Sequence, residues 1–189
     1  MQISYSSLEL KGTTIENSKF RAIYASNADQ IKIEDSVFDR MDQNFDGGVI
    51  YSQSTSDMEI KDSTFVDNKA SSSKGGAIYI DGSYNQDYVI KNCNFTNNIA
   101  ASGGAVYTYK KLTINDTHFE NNQAYNYTSE DDEILGGYGG ALYFNCDGDD
   151  CVGLFARNNF TNNVAVKEGG AIKARSNYPT LDDNNFSGN

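Results

Sequence analysis

The sequence is poor in the residues that mark helices, membrane spans and catalytic centres. Its 189 residues include one proline, one histidine, three cysteines and no tryptophan. Long stretches rich in Ala, Leu, Glu and Lys are also absent, which leaves a composition typical of strands and turns. A Ser-His-Asp or Cys-His centre would need the single histidine, His118, beside a nucleophile, whereas the alternation of the pattern puts it on the outer side of a strand.

Positive charge and long apolar runs are also scarce. The chain has 15 basic and 26 acidic residues, a formal charge of −11, which argues against nucleic acid and anionic membrane surfaces as partners. No apolar run reaches the length of a bilayer span, so we expect no membrane insertion by this segment. Residues 1–12 contain no apolar signal-peptide core, which predicts either a cytosolic protein or a mature or excised segment.

A repeated frame dominates what is present. Its clearest copy runs from Ile60 to Tyr79 and reads I-x-x-[ST]-x-F-x-x-N-x-A, a short spacer, then G-G-A-I-Y. Further copies cover 90–107, 114–143 with an insertion, and 155–173, while 33–51 is looser and 15–25 and 181–189 are partial. The mean spacing of about 28 residues is typical of a solenoid.

The apolar pattern inside each copy has the two-residue period of strands. Strands of three to five residues between Gly and Asn cannot bury a face alone, but stacked copies can pair above and below. We therefore predict an all-β fold: a right-handed, single-stranded parallel β-helix, a solenoid of about seven coils of about 24–30 residues. We expect residues 1–189 to form a single β-helix segment, an excerpt of a longer array, in which 125–138 are an inserted surface loop.

Each repeat position has a predicted structural role. A phenylalanine fills the coil, a small residue two before it lies at a bend, an asparagine three after it turns the chain and forms a ladder, and an alanine follows where another wall approaches. The predicted phenylalanine column is Phe20, Phe38, Phe65, Phe95, Phe119, Phe160 and Phe186. The asparagines are Asn68, Asn98, Asn122, Asn163 and Asn189, the small residues run from Ser18 to Asn184, and the alanines are Ala25, Ala70, Ala100, Ala124 and Ala165. Paired glycines, such as Gly75-Gly76, open the next strand at a crowded corner.

The pairing of G-G-A-I with F-x-x-N resembles the repeats of polymorphic outer membrane protein passengers, within the wider pectin-lyase-like superfold. The two motifs together cover most of residues 30–189. The resemblance implies an extracellular, adhesive or structural rod. Because a fold does not by itself supply an activity, the site residues are weighed separately.

Two columns of side chains are candidates for binding or chemistry. Outward tyrosines are expected to stack into an aromatic stripe that binds sugar rings or a protein, or that only stabilises the sheet; they are Tyr51, Tyr79, Tyr107 and Tyr143, followed by Lys173. A polar column at the bend before the phenylalanine consists of Asp35, Asp62, Asn92 and Asp116. It is either a carboxylate or calcium site or, in the favoured interpretation, a set of turn residues. Arg157 and Arg175 have no matching acidic column.

The cysteines suggest a disulfide, and the carboxylates between two of them suggest a metal site. Cys93 replaces a small inward Ser or Thr, which predicts a buried free thiol. Cys146 and Cys151 are spaced for a hairpin disulfide. The carboxylates between them, Asp147, Asp149 and Asp150, are weak calcium candidates that do not match an EF-hand, and zinc is not expected. Glycosylation acceptors of the form Asn-x-Ser/Thr occur at Asn94, Asn115, Asn126, Asn159 and Asn185.

The preferred function is non-enzymatic: an extracellular or cell-surface β-helical rod acting as a stalk, an adhesin passenger or a filament subunit. The alternatives are glycan binding through the tyrosine stripe and a polysaccharide lyase or hydrolase on the same fold. Expected partners are copies of the same chain stacked end to end, because neither end of the sequence looks like a cap, and carbohydrate or a cell-surface protein. No cofactor is predicted apart from calcium.

Overall fold

The repeated frame forms three parallel sheets that run along a solenoid. A computed structural model describes residues 1–82, 86–129, 131–146, 151–175 and 178–189. The described residues contain no helix, and hence none that is long and apolar enough to cross a membrane. The predicted parallel β-helix is confirmed, with about six full turns between the first and last strands of each seven-stranded sheet rather than seven.

Sheet 1 contains the strands that follow the glycine pairs. Its order is β1 (Gln2–Ser4), β4 (Ile23–Ser26), β7 (Ile50–Gln53), β11 (Ile78–Asp81), β15 (Val106–Thr108), β21 (Leu142–Phe144) and β25 (Ile172–Ala174). Sheet 2 contains the strands before each bend. Its order is β2 (Ser7–Lys11), β5 (Gln30–Glu34), β8 (Asp57–Lys61), β12 (Asp87–Lys91), β16 (Leu112–Asn115), β22 (Val152–Ala156) and β26 (Tyr178–Asp182).

Sheet 3 has two branches that share the long strand β6. The phenylalanine branch is β3 (Thr14–Ser18), β6 (Val37–Gln43), β9 (Thr64–Val66), β13 (Asn94–Thr96), β17 (His118–Glu120), β23 (Asn159–Thr161) and β27 (Asn185–Ser187). The alanine branch continues from β6 through β10 (Lys69–Lys74), β14 (Ile99–Ser102), β18 (Gln123–Ala124) and β24 (Val164–Ala165). Within 125–138, strands β19 (Asn126–Thr128) and β20 (Ile134–Gly136) form an antiparallel hairpin outside the coils.

The interior is a continuous stack of like side chains. Phenylalanine rings from β6 to β27 stack with centroid separations of 5.0, 4.7, 4.9, 4.9 and 4.9 Å. Isoleucines of sheet 2 pair in the same way, with Ile33, Ile60 and Ile90 in one register. Because each apolar side chain covers its copy in the next coil, the short strands bury a core that none of them could bury alone.

The predicted register of the first coil is wrong. Ile15, not Phe20, pairs with Phe38, and the Phe20 ring is 77% exposed. Correspondingly, Thr13 rather than Ser18 donates its amide to the Ser36 hydroxyl, and Ala25 pairs with Ser52 of sheet 1 instead of joining the alanine branch. The register predicted for 15–25 is therefore shifted by five residues along the chain. Phe20 matches the phenylalanine of the frame in residue type but not in position.

Asparagines form the predicted ladder between coils, and all of them except the last, Asn189, are buried. The Asn68 amide donates to Asn98 Oδ1 at 3.0 Å, and Asn98 donates to Asn122, Asn122 to Asn163 and Asn163 to Asn189 across 24, 41 and 26 residues of chain. The residue in the left-handed conformation is the one before each asparagine, for example Asp67 with a φ of 54°. The chain thus turns at the residue before each ladder asparagine rather than at the asparagine itself, whose side chain points inward.

Truncation of one ring in the stack tests this register. We expect Phe95→Ala to lower the free energy of unfolding by about 3–5 kcal/mol, because it opens a cavity between two stacked rings. Phe20→Ala should change it by less than about 0.5 kcal/mol, since that ring is exposed. Urea unfolding followed by far-ultraviolet circular dichroism measures both. A comparable loss for the two variants would show that Phe20 belongs to the stack after all.

Candidate functional site

A column of tyrosines lies outside sheet 1, as the repeat predicts. Tyr51, Tyr79, Tyr107 and Tyr143 occupy one register, and Lys173 follows them. Tyr24 belongs to the same column and was missed because the first coil was misaligned. Neighbouring rings stack at 5.1, 5.2 and 5.8 Å as far as Tyr107, and the ring of Tyr143 then meets Tyr107 edge-on at 4.9 Å.

The middle of this column is covered. Tyr79 and Tyr107 are only 6% and 2% exposed, and Tyr109 packs edge-on against both. Burial is the main reason that the pKa of each of these two phenols is raised well above its usual value. The prediction of an open stripe is therefore wrong at its centre, although Tyr51 and Tyr143 remain half-exposed.

A cleft of about 450 Å³ lies beside the covered tyrosines, between the β19–β20 hairpin and the coils. We call it the hairpin cleft. Its walls include the aromatic side chains Tyr107, Tyr127, Tyr138 and Tyr143 and the charged side chains Asp46 and Lys74. The cleft joins two features that the sequence presents separately, the tyrosine column and the inserted segment.

Backbone contacts hold the hairpin against the coils. The amide of Gly137 donates to the carbonyl of Ala101 at 2.6 Å, and that of Tyr125 donates to Ala100 at 3.0 Å. Gly136 has a φ of 85°, and a Cβ there would lie 2.8 Å from the Ala101 carbonyl oxygen. The hairpin thus meets the sheet at a glycine that permits both this backbone conformation and this close approach.

Lys74 is the cation of the hairpin cleft. Its ammonium donates to the Tyr109 hydroxyl at 2.9 Å and lies 5.2 Å from the ring centroids of both Tyr107 and Tyr109. Its backbone amide donates to Asp46 Oδ1 at 2.9 Å. Burial works to lower the pKa of the ammonium, but the hydrogen bond to Tyr109 and the nearby phenol and Asp46 charges outweigh it, so the net pKa is raised and Lys74 stays protonated.

The predicted polar column consists of turn residues. Asp35, Asp62, Asn92 and Asp116 all have positive φ, between 50° and 54°, and Asn92 donates to Asp62. Arg157 continues the column with a φ of 55°, and its guanidinium donates to both oxygens of Asp116 at 2.7 and 3.0 Å. The expectation that Arg157 has no matching acidic column is therefore wrong, and this pairing lowers the pKa of the Asp116 carboxyl.

Carboxylates of Glu34, Asp35 and Asp62 approach one another within 4.8 Å, but two of the three are exposed, and acidic groups of this kind are common on surfaces without an ion. We assign no metal to them. The weak calcium candidates Asp147, Asp149 and Asp150 lie outside the described residues. Their flanking cysteines, Cys146 and Cys151, are joined by a disulfide with a Cα–Cα distance of 5.8 Å.

Cys93 is a free, buried thiol in the small-residue column, where its amide donates to Thr117 Oγ1 at 3.3 Å. Burial raises the pKa of this thiol to about 12, whereas the pKa of an unfolded cysteine is about 8.5. Because the unfolded state loses its proton first, this group's contribution to stability falls as the pH rises from about 9 to about 12. The thiolate is therefore scarce in the folded protein at neutral pH.

A thiol titration tests the burial of Cys93. At pH 8 we expect an aromatic disulfide reagent to react with the native protein at least about a hundredfold more slowly than with the protein in denaturant, where one thiol per chain should react. A Cys93→Ser control should show no reaction in either state. Rapid reaction of the native protein would mean that the coil interior is open at this position.

The remaining predicted positions lie on the outer surface. His118 is half-buried on β17, with Nε2 3.8 Å from a Glu120 carboxylate oxygen. Among the glycosylation acceptors, Asn94 and Asn185 are exposed, while the other three, Asn115, Asn126 and Asn159, are half-buried. Their modification stays a prediction.

Comparisons with known proteins agree with this architecture. The family described as "Right handed beta helix region" matches residues 2–189. A curated relative, "Probable autotransporter YfaL" of Escherichia coli (strain K12), is 39% identical over 138 residues, which are 69% of the chain and 11% of that relative. The chain thus matches a small fraction of the relative's length. No solved structure matches the chain.

Proposed function

Since the chain belongs to the right-handed β-helix family, we propose that it is a non-enzymatic part of an autotransporter-type passenger that is displayed on the cell surface as a structural and adhesive rod. The observation that carries the proposal is the 39% identity to a probable autotransporter, which extends over 69% of the chain. A disulfide between Cys146 and Cys151 is compatible with a compartment outside the cytosol.

The use of the polar side chains supports a structural role. The asparagines and small residues that recur from coil to coil form hydrogen bonds with the backbone and with the equivalent residue of the next coil. The Asn122 amide, for example, donates to the Phe95 carbonyl and to Asn163 Oδ1. The residues of the polar column take the positive φ that the bends require, and one of them, Asp116, is paired with Arg157. Side chains that are engaged in this way hold the coils in register, which is what a stalk requires.

Accessibility on intact cells tests the proposed location. Antibodies raised against the folded 189-residue chain should label intact cells that produce the native protein, and protease added outside those cells should remove the label. Labelling that appears only after the cells are lysed would overturn the proposal. A cytosolic protein of the same cells serves as the control for intactness.

Enzymatic activity is the competing function and needs its own assay. We expect no turnover of polyuronate or other acidic polysaccharides by the purified chain. Turnover that is lost on Asp62→Asn or Asp116→Asn would instead assign the protein to the polysaccharide lyases or hydrolases. The Asp116 carboxylate makes the bidentate contact with Arg157, so thermal unfolding of that variant has to be measured alongside the assay.

A further inference from the structure

We propose that the hairpin cleft binds a terminal sugar that carries a carboxylate. Lys74 pairs with the carboxylate, and the rings of Tyr138 and Tyr143 contact the sugar ring. The inference deepens the adhesive part of the proposed function by naming a ligand class. It does not depend on where the protein is located, because it concerns the isolated chain.

The size and position of the cleft fit a ligand of one or two sugar units. Its volume of about 450 Å³ lies within the roughly 300–1,000 Å³ that is typical of small-molecule sites. The cleft is bounded on one side by the coils and on the other by the β19–β20 hairpin. A site that the hairpin bounds on one side suits the end of a glycan better than the middle of a long polymer, which would need a groove that runs past the hairpin.

The lining matches the mixed surface of a sugar. Tyr127, Tyr138 and Tyr143 are half-exposed, and the last two rings lie 6.0 Å apart at an angle of 46°. Aromatic faces pack against the apolar C–H faces of sugar rings, while hydroxyl groups of the lining can donate to and accept from sugar hydroxyls and the Asp46 carboxylate can accept from them. Leu135 and Ala101 supply the aliphatic part of the lining.

The Lys74 ammonium is the feature of the cleft that favours an anionic ligand group. An ammonium has three donors, and the Lys74 ammonium uses one of them for the Tyr109 hydroxyl. Within the part of the chain that the structure describes, Lys74 forms no ion pair with a carboxylate. A protonated amine in a partly desolvated cleft with unused donors favours a charged acceptor, and such hydrogen bonds are the stronger kind.

Neighbouring cations reinforce this preference in a protein whose formal charge is −11. Lys167 lies 5.1 Å from the Tyr138 ring centroid, and Lys173 and Arg175 are close enough to Tyr143 to act on the pKa of its phenol, which burial raises and they lower. Asp46 opposes an anion, but its Oδ1 accepts the backbone amide of Lys74. Lys173 is itself paired with Glu168, which leaves Lys167 and Arg175 as the cations that favour an anion at the aromatic wall.

A glycan array tests the proposal on the purified 189-residue chain. The array carries sialic acid-terminated and glucuronic acid-terminated glycans beside neutral counterparts that lack the acidic sugar or carry its methyl ester. We expect retention of acidic glycans over their neutral counterparts. Lys74→Met, which keeps the apolar stem, should weaken binding at least about tenfold, because one charge-assisted hydrogen bond is lost.

Two further variants separate charge from packing and from folding. Tyr143→Leu should weaken acidic and neutral glycans by similar factors, since it removes a contact surface but no charge. Lys32→Met removes an exposed positive charge from β5, away from the cleft, and should leave binding unchanged. The midpoint of thermal unfolding, measured for each variant, shows whether a loss of binding reflects a loss of fold.

Three outcomes would overturn the inference. In the first, acidic and neutral glycans are retained equally. In the second, a folded Lys74→Met variant binds as well as the unmodified chain. In the third, Lys32→Met weakens binding as much as Lys74→Met does. Selective retention of sulfated glycans that do not carry a carboxylate would also reject it, in favour of a different anion. Surface labelling of cells is scored separately, so the failure of one proposal does not imply failure of the other.

Discussion

Gly104→Ala is expected to lower the free energy of unfolding by at least about 4 kcal/mol, enough to leave little folded protein. A Cβ at this position would overlap the carbonyl oxygen of Gly140 and lie 2.7 Å from the amide nitrogen of Gln123. These are backbone atoms of the next coil, which cannot rotate away as a side chain can. The substitution therefore forces adjacent coils apart at the corner where sheet 1 begins.

Gly12→Ala is the matched control for this experiment. Gly12 also lies at a bend, with a φ of 58°, but a Cβ there meets no atom within 4 Å. Its cost should be limited to the left-handed conformation itself, about 1–2 kcal/mol. Soluble yield and urea unfolding compare the variants. If Gly104→Ala were no more harmful than Gly12→Ala, the close approach of the coils at the paired glycines would be disproved.

Asn122→Leu should lower the free energy of unfolding by at least about 3 kcal/mol, although the side-chain volume is nearly preserved. Asn122 Oδ1 accepts from the backbone amide and the side-chain amide of Asn98, both at 3.0 Å. Its own amide donates to the Phe95 carbonyl and to Asn163 Oδ1, both at 2.9 Å. Leucine removes all four hydrogen bonds inside a coil from which water is excluded.

Asn94→Leu is the same substitution at an exposed position of β13 and should change stability by less than about 0.5 kcal/mol. Urea unfolding of the two variants separates the effect of the ladder from a general effect of replacing asparagine. Two nearly neutral results would mean that the inward asparagine amides are not required to join the coils.

The repeat predicts the stack because the residue types that form it recur in a fixed order along the sequence. A phenylalanine, an asparagine three residues later and a following glycine pair each have one structural role, so their order reports the order of bends and strands. The first coil failed this test because Ile15 replaces the phenylalanine and Ser18 replaces the asparagine, while Phe20 lies nearby on the surface. One misleading aromatic residue shifted three columns there.

The repeat pattern does not predict the hairpin cleft. Tyr79 and Tyr107 alternate like outward residues, but Tyr109, which lies outside their strands, packs edge-on against both, and the Lys74 ammonium lies over the ring of Tyr107. The acidic partner of Arg157 was hidden for a related reason. Arginine rarely takes a left-handed conformation, so its place in the bend column is seen only once the coils are stacked.

Contacts between phenylalanine rings in solution measure the stacking directly. In a sample protonated only at phenylalanine, with each ring assigned by a Phe→Leu variant, nuclear Overhauser effects should connect Phe38, Phe65, Phe95, Phe119, Phe160 and Phe186 in that order, since neighbouring rings are 4.7–5.0 Å apart. Phe20 should show none of these contacts. Cross-peaks from Phe20 to Phe38, or no contact between Phe65 and Phe95, would contradict the stacked coils.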